Sequence, residues 1–365
     1  MPSSSAPETL TEADDARRAL LEVDDLSTFF ATDRGIVHAV DHVSFSLRAG
    51  RTLGIVGESG SGKSVLARSI MNLVPSSALR PTGTVHFEGR DLGKLSSREA
   101  RDIWGNDIAM VFQDPMTSLN PTLRVGRQIT ESVELHMGLH RRAANARANE
   151  FLTHVGIPEA NKRARMYPYE LSGGMRQRVG IAIALACSPK LLLADEPTTA
   201  LDVTIERQIL DLLSGLQRET GMAMILISHD LGVVAGRTDE IMVMYGGRVI
   251  EQGPTKSVFR AMRHPYTAAL LASIPRLDQP SHTLLSTIPG RPVDVVDPKP
   301  GCRFAPRCPY AQPKCREDDP PIVESAPGHR YACFFPLDPT SGSAIPAAST
   351  ATPNGASATE PAEVP

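Results

Sequence analysis

The 365-residue sequence predicts an α/β protein: a mostly parallel sheet covered by helices on both faces, a smaller antiparallel sheet beside it, and a Cys-rich C-terminal extension. Three observations carry this. Short apolar runs (RTLGIVG, KLLLADEP, MAMILISHD) alternate with segments of helical spacing (KSVLARSIMNLV, VTIERQILDLLSGLQRE), as buried parallel strands and their covering helices do. The region after Leu20 (LLEVDDLSTFF, VHAVDHVSFSLRAG) instead alternates apolar and polar residues, the mark of half-buried antiparallel strands. From Pro275 onward periodicity fades: 18 of the 30 prolines lie in the last 91 residues, and four of the five cysteines fall within 32 residues.

In chain order, residues 1–19 are rich in Ser, Ala and Glu and read as a disordered lead-in. The two alternating runs follow, the second closed by Gly50. RTLGIVG leads straight into a glycine-rich turn, and the helix after it stops before Pro75. GTVHFEG and DIAMVFQ are further short strands, and about 124–185 is mostly helical. EIMVMYGGRVIEQG predicts a hairpin with a Gly-Gly turn. The domain reading is a nucleotide-binding unit over 20–275, a Cys₄ module over 276–337 and a low-complexity tail over 338–365.

Composition narrows the class. The chain is 41% hydrophobic and 22% charged, enough apolar material for a core. A net charge of −3 gives no basic field for nucleic acid. The longest apolar runs, such as Ile181–Cys187, fall far short of the ~20 residues a membrane-spanning helix needs. Early acidic residues and no apolar stretch at the N-terminus argue against a secretory signal. The expectation is a cytosolic or peripheral protein, in whose reducing surroundings clustered cysteines bind metal more readily than they form disulfides.

The first strong motif is Gly57-Glu58-Ser59-Gly60-Ser61-Gly62-Lys63-Ser64, which fits G-x-x-x-x-G-K-[ST] and lies between a buried strand and a helix. Glycines let backbone N–H groups wrap a phosphate, and the helix N-terminus adds partial positive charge. Lys63 is expected to reach the β- and γ-phosphates and Ser64 to ligate Mg²⁺. In Leu191–Pro197, apolar residues run into Asp195 and Glu196, so a buried strand delivers two carboxylates at its C-terminal edge, where open α/β sheets bind ligands. Asp195 is expected to hold Mg²⁺ and Glu196 to polarise an attacking water.

Leu171-Ser172-Gly173-Gly174-Met175 precedes a helix and lies 20 residues before the acidic strand. It resembles the LSGGQ signature of ATP-binding cassette (ABC) ATPases, with Met175 in place of the usual Gln. Other elements of that superfamily appear in order. Gln113 resembles the Q-loop glutamine that contacts Mg²⁺, Thr199-Ala200-Leu201-Asp202 the D-loop, and His229 the switch histidine at the γ-phosphate. Phe30 stands where an aromatic residue stacks on adenine; of Phe30 and its neighbour Phe29, one should face the core. The resemblance implies the P-loop NTPase fold of an ABC cassette, with a RecA-like core, an antiparallel β subdomain and a helical subdomain. It implies ATP and Mg²⁺ as cofactors, with Mg²⁺ held through Ser64, Gln113 and Asp195. It also implies that two cassettes close head to tail, the signature of each acting on the ATP of the other.

DPMTSLNPTLRVG after Gln113, His264-Pro265-Tyr266-Thr267, and the extension GCRFAPRCPYAQPKCREDDPP resemble the dipeptide/oligopeptide/nickel branch of ABC importers. That resemblance implies an ATPase powering peptide import at the cytoplasmic face of the plasma membrane. Its partners are two transmembrane permease subunits, a second homologous ATP-binding subunit and an extracytoplasmic peptide-binding protein. Nickel or another small solute is the alternative cargo, and a soluble non-transport ABC ATPase the competing class. Cys302, Cys308, Cys315 and Cys333 are spaced C-x5-C-x6-C-x17-C, which lacks the paired C-x2-C of common zinc ribbons. Four thiolates suit an iron–sulfur cluster as well as zinc; the resemblance tips the expectation to a 4Fe-4S cluster. Cys187, alone in an apolar helix, reads as an inert core thiol.

Overall fold

Two sheets organise the chain in a computed structural model that describes residues 19–75, 78–79, 81–199, 201–274, 287–341 and 344. The lead-in up to residue 18, Ala200, the linker 275–286 and the tail from 345 lie outside the described residues. The smaller sheet is antiparallel, ordered β2-β1-β4-β5, from β1 (Ala19–Thr32), β2 (Gly35–Arg48), β4 (Thr82–Phe87) and β5 (Arg90–Asp91). The larger is ordered β11-β12-β10-β9-β3-β8-β7-β6. Its parallel part comprises β3 (Thr52–Val56), β6 (Ile108–Val111), β7 (Leu191–Asp195), β8 (Ala223–Ser228) and β9 (Glu240–Tyr245). β10 (Arg248–Pro254), β11 (Ile322–Ala326) and β12 (His329–Ala332) extend it antiparallel.

The near-continuous apolar strands are explained by burial on both faces. Leu192, Ala194, Met224 and Leu226 enter one core, while Leu191, Leu193, Ala223 and Ile225 enter the other. The second core is closed by helix α1 (Lys63–Ile70) and by Leu21, Val23, Val43 and Phe87 of the antiparallel sheet. The first holds apolar residues of helices α2 (Val125–Met137), α3 (Arg141–His154), α4 (Gly173–Leu185) and α5 (Val203–Thr220). Truncating a fully buried leucine such as Leu193 to Ala should cost about 2–5 kcal/mol.

Caps and turns follow local chemistry. The predicted hairpin forms between β9 and β10, with Gly246 and Gly247 at φ 54° and 85°, the two positive values a type I′ turn requires. Asp202 caps α5, its carboxylate accepting the N–H groups of Thr204 (3.1 Å) and Ile205 (3.0 Å). Helix α6 (Pro265–Ala272) starts after His264, whose Nδ1 accepts the Tyr266 N–H at 3.0 Å.

The strand pairing of the Pro-rich region is not visible in its composition. β12 pairs with β10, Glu251 opposite Tyr331, so residues beyond 287 continue the main sheet. The seam is polar and buried: Glu251, fully shielded from solvent, accepts the N–H groups of Arg263 (2.7 Å) and His264 (3.0 Å) and lies 2.8 Å from Nε2 of His329. Three partners compensate the burial of one carboxylate.

Candidate functional site

The order β3-β8-β7-β6 within the parallel part places four strand ends side by side. β3 runs into the glycine loop, β8 ends beside His229, β7 ends at Asp195, and β6 is followed by Gln113. Four sequence motifs separated by up to 172 residues therefore meet at one edge of one sheet.

The loop is built by close backbone approach. A Cβ at Gly62, where φ is 101°, would lie 2.1 Å from the carbonyl oxygen of Ala39, so only glycine fits. Gly62 is the N-cap of α1, which leaves the first N–H groups of that helix without intrahelical partners. Lys63 is buried, its ammonium donating to the carbonyls of Gly57 (2.8 Å) and Glu58 (3.0 Å). Burial pushes its pKa down.

Around this loop the acidic groups have distinct surroundings. Ser64 Oγ donates to Asp195 Oδ1 at 2.8 Å. Asp195 Oδ2 is buried and unpartnered, and burial raises the Asp195 pKa. Glu196 is at φ 43°, a left-handed conformation uncommon for a residue with a side chain. Its carboxylate accepts from Gln113 Nε2 (3.0 Å) and Thr199 Oγ1 (3.0 Å). It lies 3.5 Å from His229 Nδ1 and 3.8 Å from Lys63 Nζ. His229 beside it is the main reason the Glu196 pKa falls to about 2, with Thr199 and Lys63 adding to the effect against burial. Reciprocally, Glu196 raises the pKa of His229.

The fit to a magnesium nucleotide can be tested on these groups. Asp195 Oδ2 and Ser61 Oγ are both buried without a hydrogen-bond partner among the described residues. Buried polar atoms are paired in nearly all folded proteins, so two orphans beside a glycine cradle fit a site that a ligand completes. A carboxylate and a hydroxyl are hard oxygen donors of the kind Mg²⁺ takes.

Other predicted residues stand apart. Ser172 is exposed and caps α4, accepting the Met175 N–H at 3.4 Å; Leu171 is buried, and Gly173 and Gly174 open the helix. No hydrogen bond or ion pair links this segment to the glycine loop among the described residues. Phe29 and Phe30 are both half-buried, so neither enters the core; the Phe29 ring packs on His38 at 4.1 Å, while Phe30 pairs with Val37 across the hairpin. Ser59 and Gly60 lie exposed at the tip of the loop.

The expectation of a 4Fe-4S cluster, or zinc in its place, is corrected by the structure. Cys302, Cys308, Cys315 and Cys333 are free thiols lining one cavity with Phe304 and Phe335. Yet among the described residues no group of three or more His, Cys, Asp or Glu side chains is arranged to hold a metal ion. The cavity measures ≈ 20 Å³, room for about one water molecule. Burial raises the pKa of Cys302 to about 11 and that of Cys333 to about 12. Cys187 is buried as expected, but it lies just beyond the end of α4 at Leu185 rather than within a helix.

Sequence reasoning missed three contacts. Thr199 bonds Glu196; Tyr266 and Arg307 reach Glu58 from 208 and 249 residues away. The Thr199 contact lies within a segment singled out by its pattern, whereas nothing local announces the other two.

Comparison with known proteins gives the same picture. Residues 40–199 match the ABC transporter family and residues 250–315 the oligopeptide/dipeptide transporter C-terminal region. The chain is 50% identical over 334 residues to the oligopeptide transport ATP-binding protein OppD of Salmonella typhimurium, covering 92% of this chain and 99% of the relative. It is 48% identical over 320 residues to the dipeptide transport ATP-binding protein DppD of Escherichia coli, covering 88% and 98%. A solved ATP-binding cassette in a dimeric post-hydrolysis state, bound to ADP and Pi, superposes with a TM-score of 0.58 at 29% identity, covering 64% of this chain and 98% of that one. The chain belongs to the ABC transporter family, among the ATP-binding proteins of its oligopeptide and dipeptide transporters.

Proposed function

We propose that the chain hydrolyses ATP to drive import of oligopeptides or dipeptides through a membrane permease. The observation that carries this reading is the convergence of Lys63, Ser64, Gln113, Asp195, Glu196 and His229 at the C-terminal edge of the parallel strands. The glycine loop and the N-terminus of α1 cradle the phosphates, and Lys63 leaves its own loop carbonyls for the β- and γ-phosphates. Ser64, Asp195 and Gln113 would hold Mg²⁺, which would supply neutralisation of phosphate charge. Glu196 is the base that accepts a proton from the attacking water.

Glu196 is the shared counter-ion of Lys63 and His229, and His229 is the main cause of its lowered pKa.

The remaining assignments rest on the family. The segment Leu171–Met175, exposed at Ser172 and Gly173, serves the nucleotide of a second, homologous ATP-binding subunit, and Asp202 lies at that interface. Phe30 contacts adenine. A groove lined by Phe112, Ser118, Leu119, Gln177, Gly180 and Ile183, beside the exposed Met116, supports docking of one of two transmembrane permease subunits. Among the described residues no helix is long and apolar enough to cross a membrane, which suits a subunit held peripherally at the cytoplasmic face by such partners. An extracytoplasmic binding protein delivers the peptide. Peptide uptake by vesicles carrying the assembled system is the test. Uptake must need ATP on the side of this chain and stop in Lys63→Ala; uptake that continues in that variant refutes the reading.

A further inference from the structure

The phosphate loop is gripped from outside the cassette's own motifs. Arg307, whose side chain is 4% exposed, places all five of its N–H groups. Nε donates to the Pro289 carbonyl at 2.8 Å. Nη1 donates to Glu58 Oε2 at 2.6 Å and to the Tyr245 hydroxyl at 3.3 Å. Nη2 donates to Glu58 Oε1 at 3.0 Å and to the Ile288 carbonyl at 3.1 Å. The fork on Glu58 is bidentate, a geometry no lysine reproduces. Glu58 is held by its main chain as well, its N–H donating to the Tyr266 hydroxyl at 2.8 Å. Tyr266 is fully buried, its ring 4.7 Å from that of Tyr245 and 5.3 Å from that of Phe304. The carbonyl of Glu58 in turn accepts from Lys63.

Glu58 places a carboxylate one residue into the phosphate loop. Left free, it would repel the anion the loop is shaped to hold. We propose that Arg307 is a positioning residue for nucleotide binding, neutralising Glu58 and fixing the loop through it, while Tyr266 fixes the loop's main chain. The Pro- and Cys-rich region is then a structural part of the nucleotide site. This rests on the reading of that loop as the ATP site.

The test is titration of the full-length chain with a fluorescent ATP analogue and Mg²⁺, with thermal melting in parallel. Lys63→Ala calibrates the site. Arg307→Met should weaken binding about tenfold, the scale of a lost charge-assisted fork. Adding Glu58→Gln to Arg307→Met should restore affinity to within about threefold of the parent, because the stranded charge is gone. Arg307→Lys should fall between parent and Arg307→Met. A merely structural arginine gives lowered melting with no rescue by Glu58→Gln. Unchanged affinity in Arg307→Met overturns the proposal, as does a double variant as weak as the single one. If Arg307→Met does not fold, unchanged affinity in Arg307→Lys overturns it instead. If Lys63→Ala binds like the parent, the loop is not the ATP site and the proposal falls with that reading; loss in Lys63→Ala with unchanged Arg307 variants removes the proposal alone.

Discussion

Ser64 Oγ donates to Oδ1 of Asp195 at 2.8 Å, which leaves Oδ2 of the same carboxylate buried with no partner among the described residues. The pair joins the first turn of α1 to the end of β7. Asp195→Asn keeps the shape and removes the charge. Affinity for ATP in Mg²⁺ should drop by about 10–100-fold, while affinity in EDTA changes little. Equal losses in both buffers would mean that Asp195 acts on something other than the metal.

Glu196→Gln keeps the acceptor for Gln113 and Thr199 but not the proton-accepting charge. Steady-state hydrolysis by the assembled complex should fall at least ~100-fold, the scale for a lost general base. ATP binding should survive. Turnover at the parent rate would remove Glu196 as the base.

His229 and Glu196 also make a prediction about pH. Because Glu196 raises the His229 pKa, the imidazolium is favoured in the folded state. The stabilisation is fully present below the unfolded histidine value of about 6.5 and is lost as pH rises through the folded pKa. A histidine NMR titration should place His229 above about 6.5 in the parent and lower in Glu196→Gln. Identical titrations in both would show that the pair does not form in solution.

Buried His264 behaves in the opposite sense. Its Nδ1 accepts the Tyr266 N–H and its Nε2 is buried without a partner among the described residues, so burial lowers its pKa to about 4. The unfolded chain binds this proton first as pH falls. Stability from this group is therefore complete above about pH 6.5 and is lost down to about pH 4, up to about 3 kcal/mol. His264→Asn keeps a capping acceptor and does not titrate. Urea unfolding at pH 7 and pH 5 should show a smaller pH difference in the variant than in the parent.

What the sequence makes legible is what is local. Glycine spacing, an apolar run ending in two acids and a strand ending in His229 each identify themselves within ten residues, and the sheet order then brings them together. The Arg307 fork joins positions 249 residues apart and has no local pattern. β11 escapes for another reason: all five of its residues are exposed, so it lacks the alternation that marks a half-buried strand. The cysteines mislead because spacing alone cannot separate ligands from thiols packed among Phe304 and Phe335.

The pairing of β12 on β10 has a practical consequence. A truncation placed after α6 strips β12 from Glu251 and Gln252 and leaves backbone amides and carbonyls of β10 unpaired there. Such an uncapped margin invites strand addition from another copy. Shortened versions should therefore self-associate into insoluble material, and any minimal soluble version must run at least through Ala332.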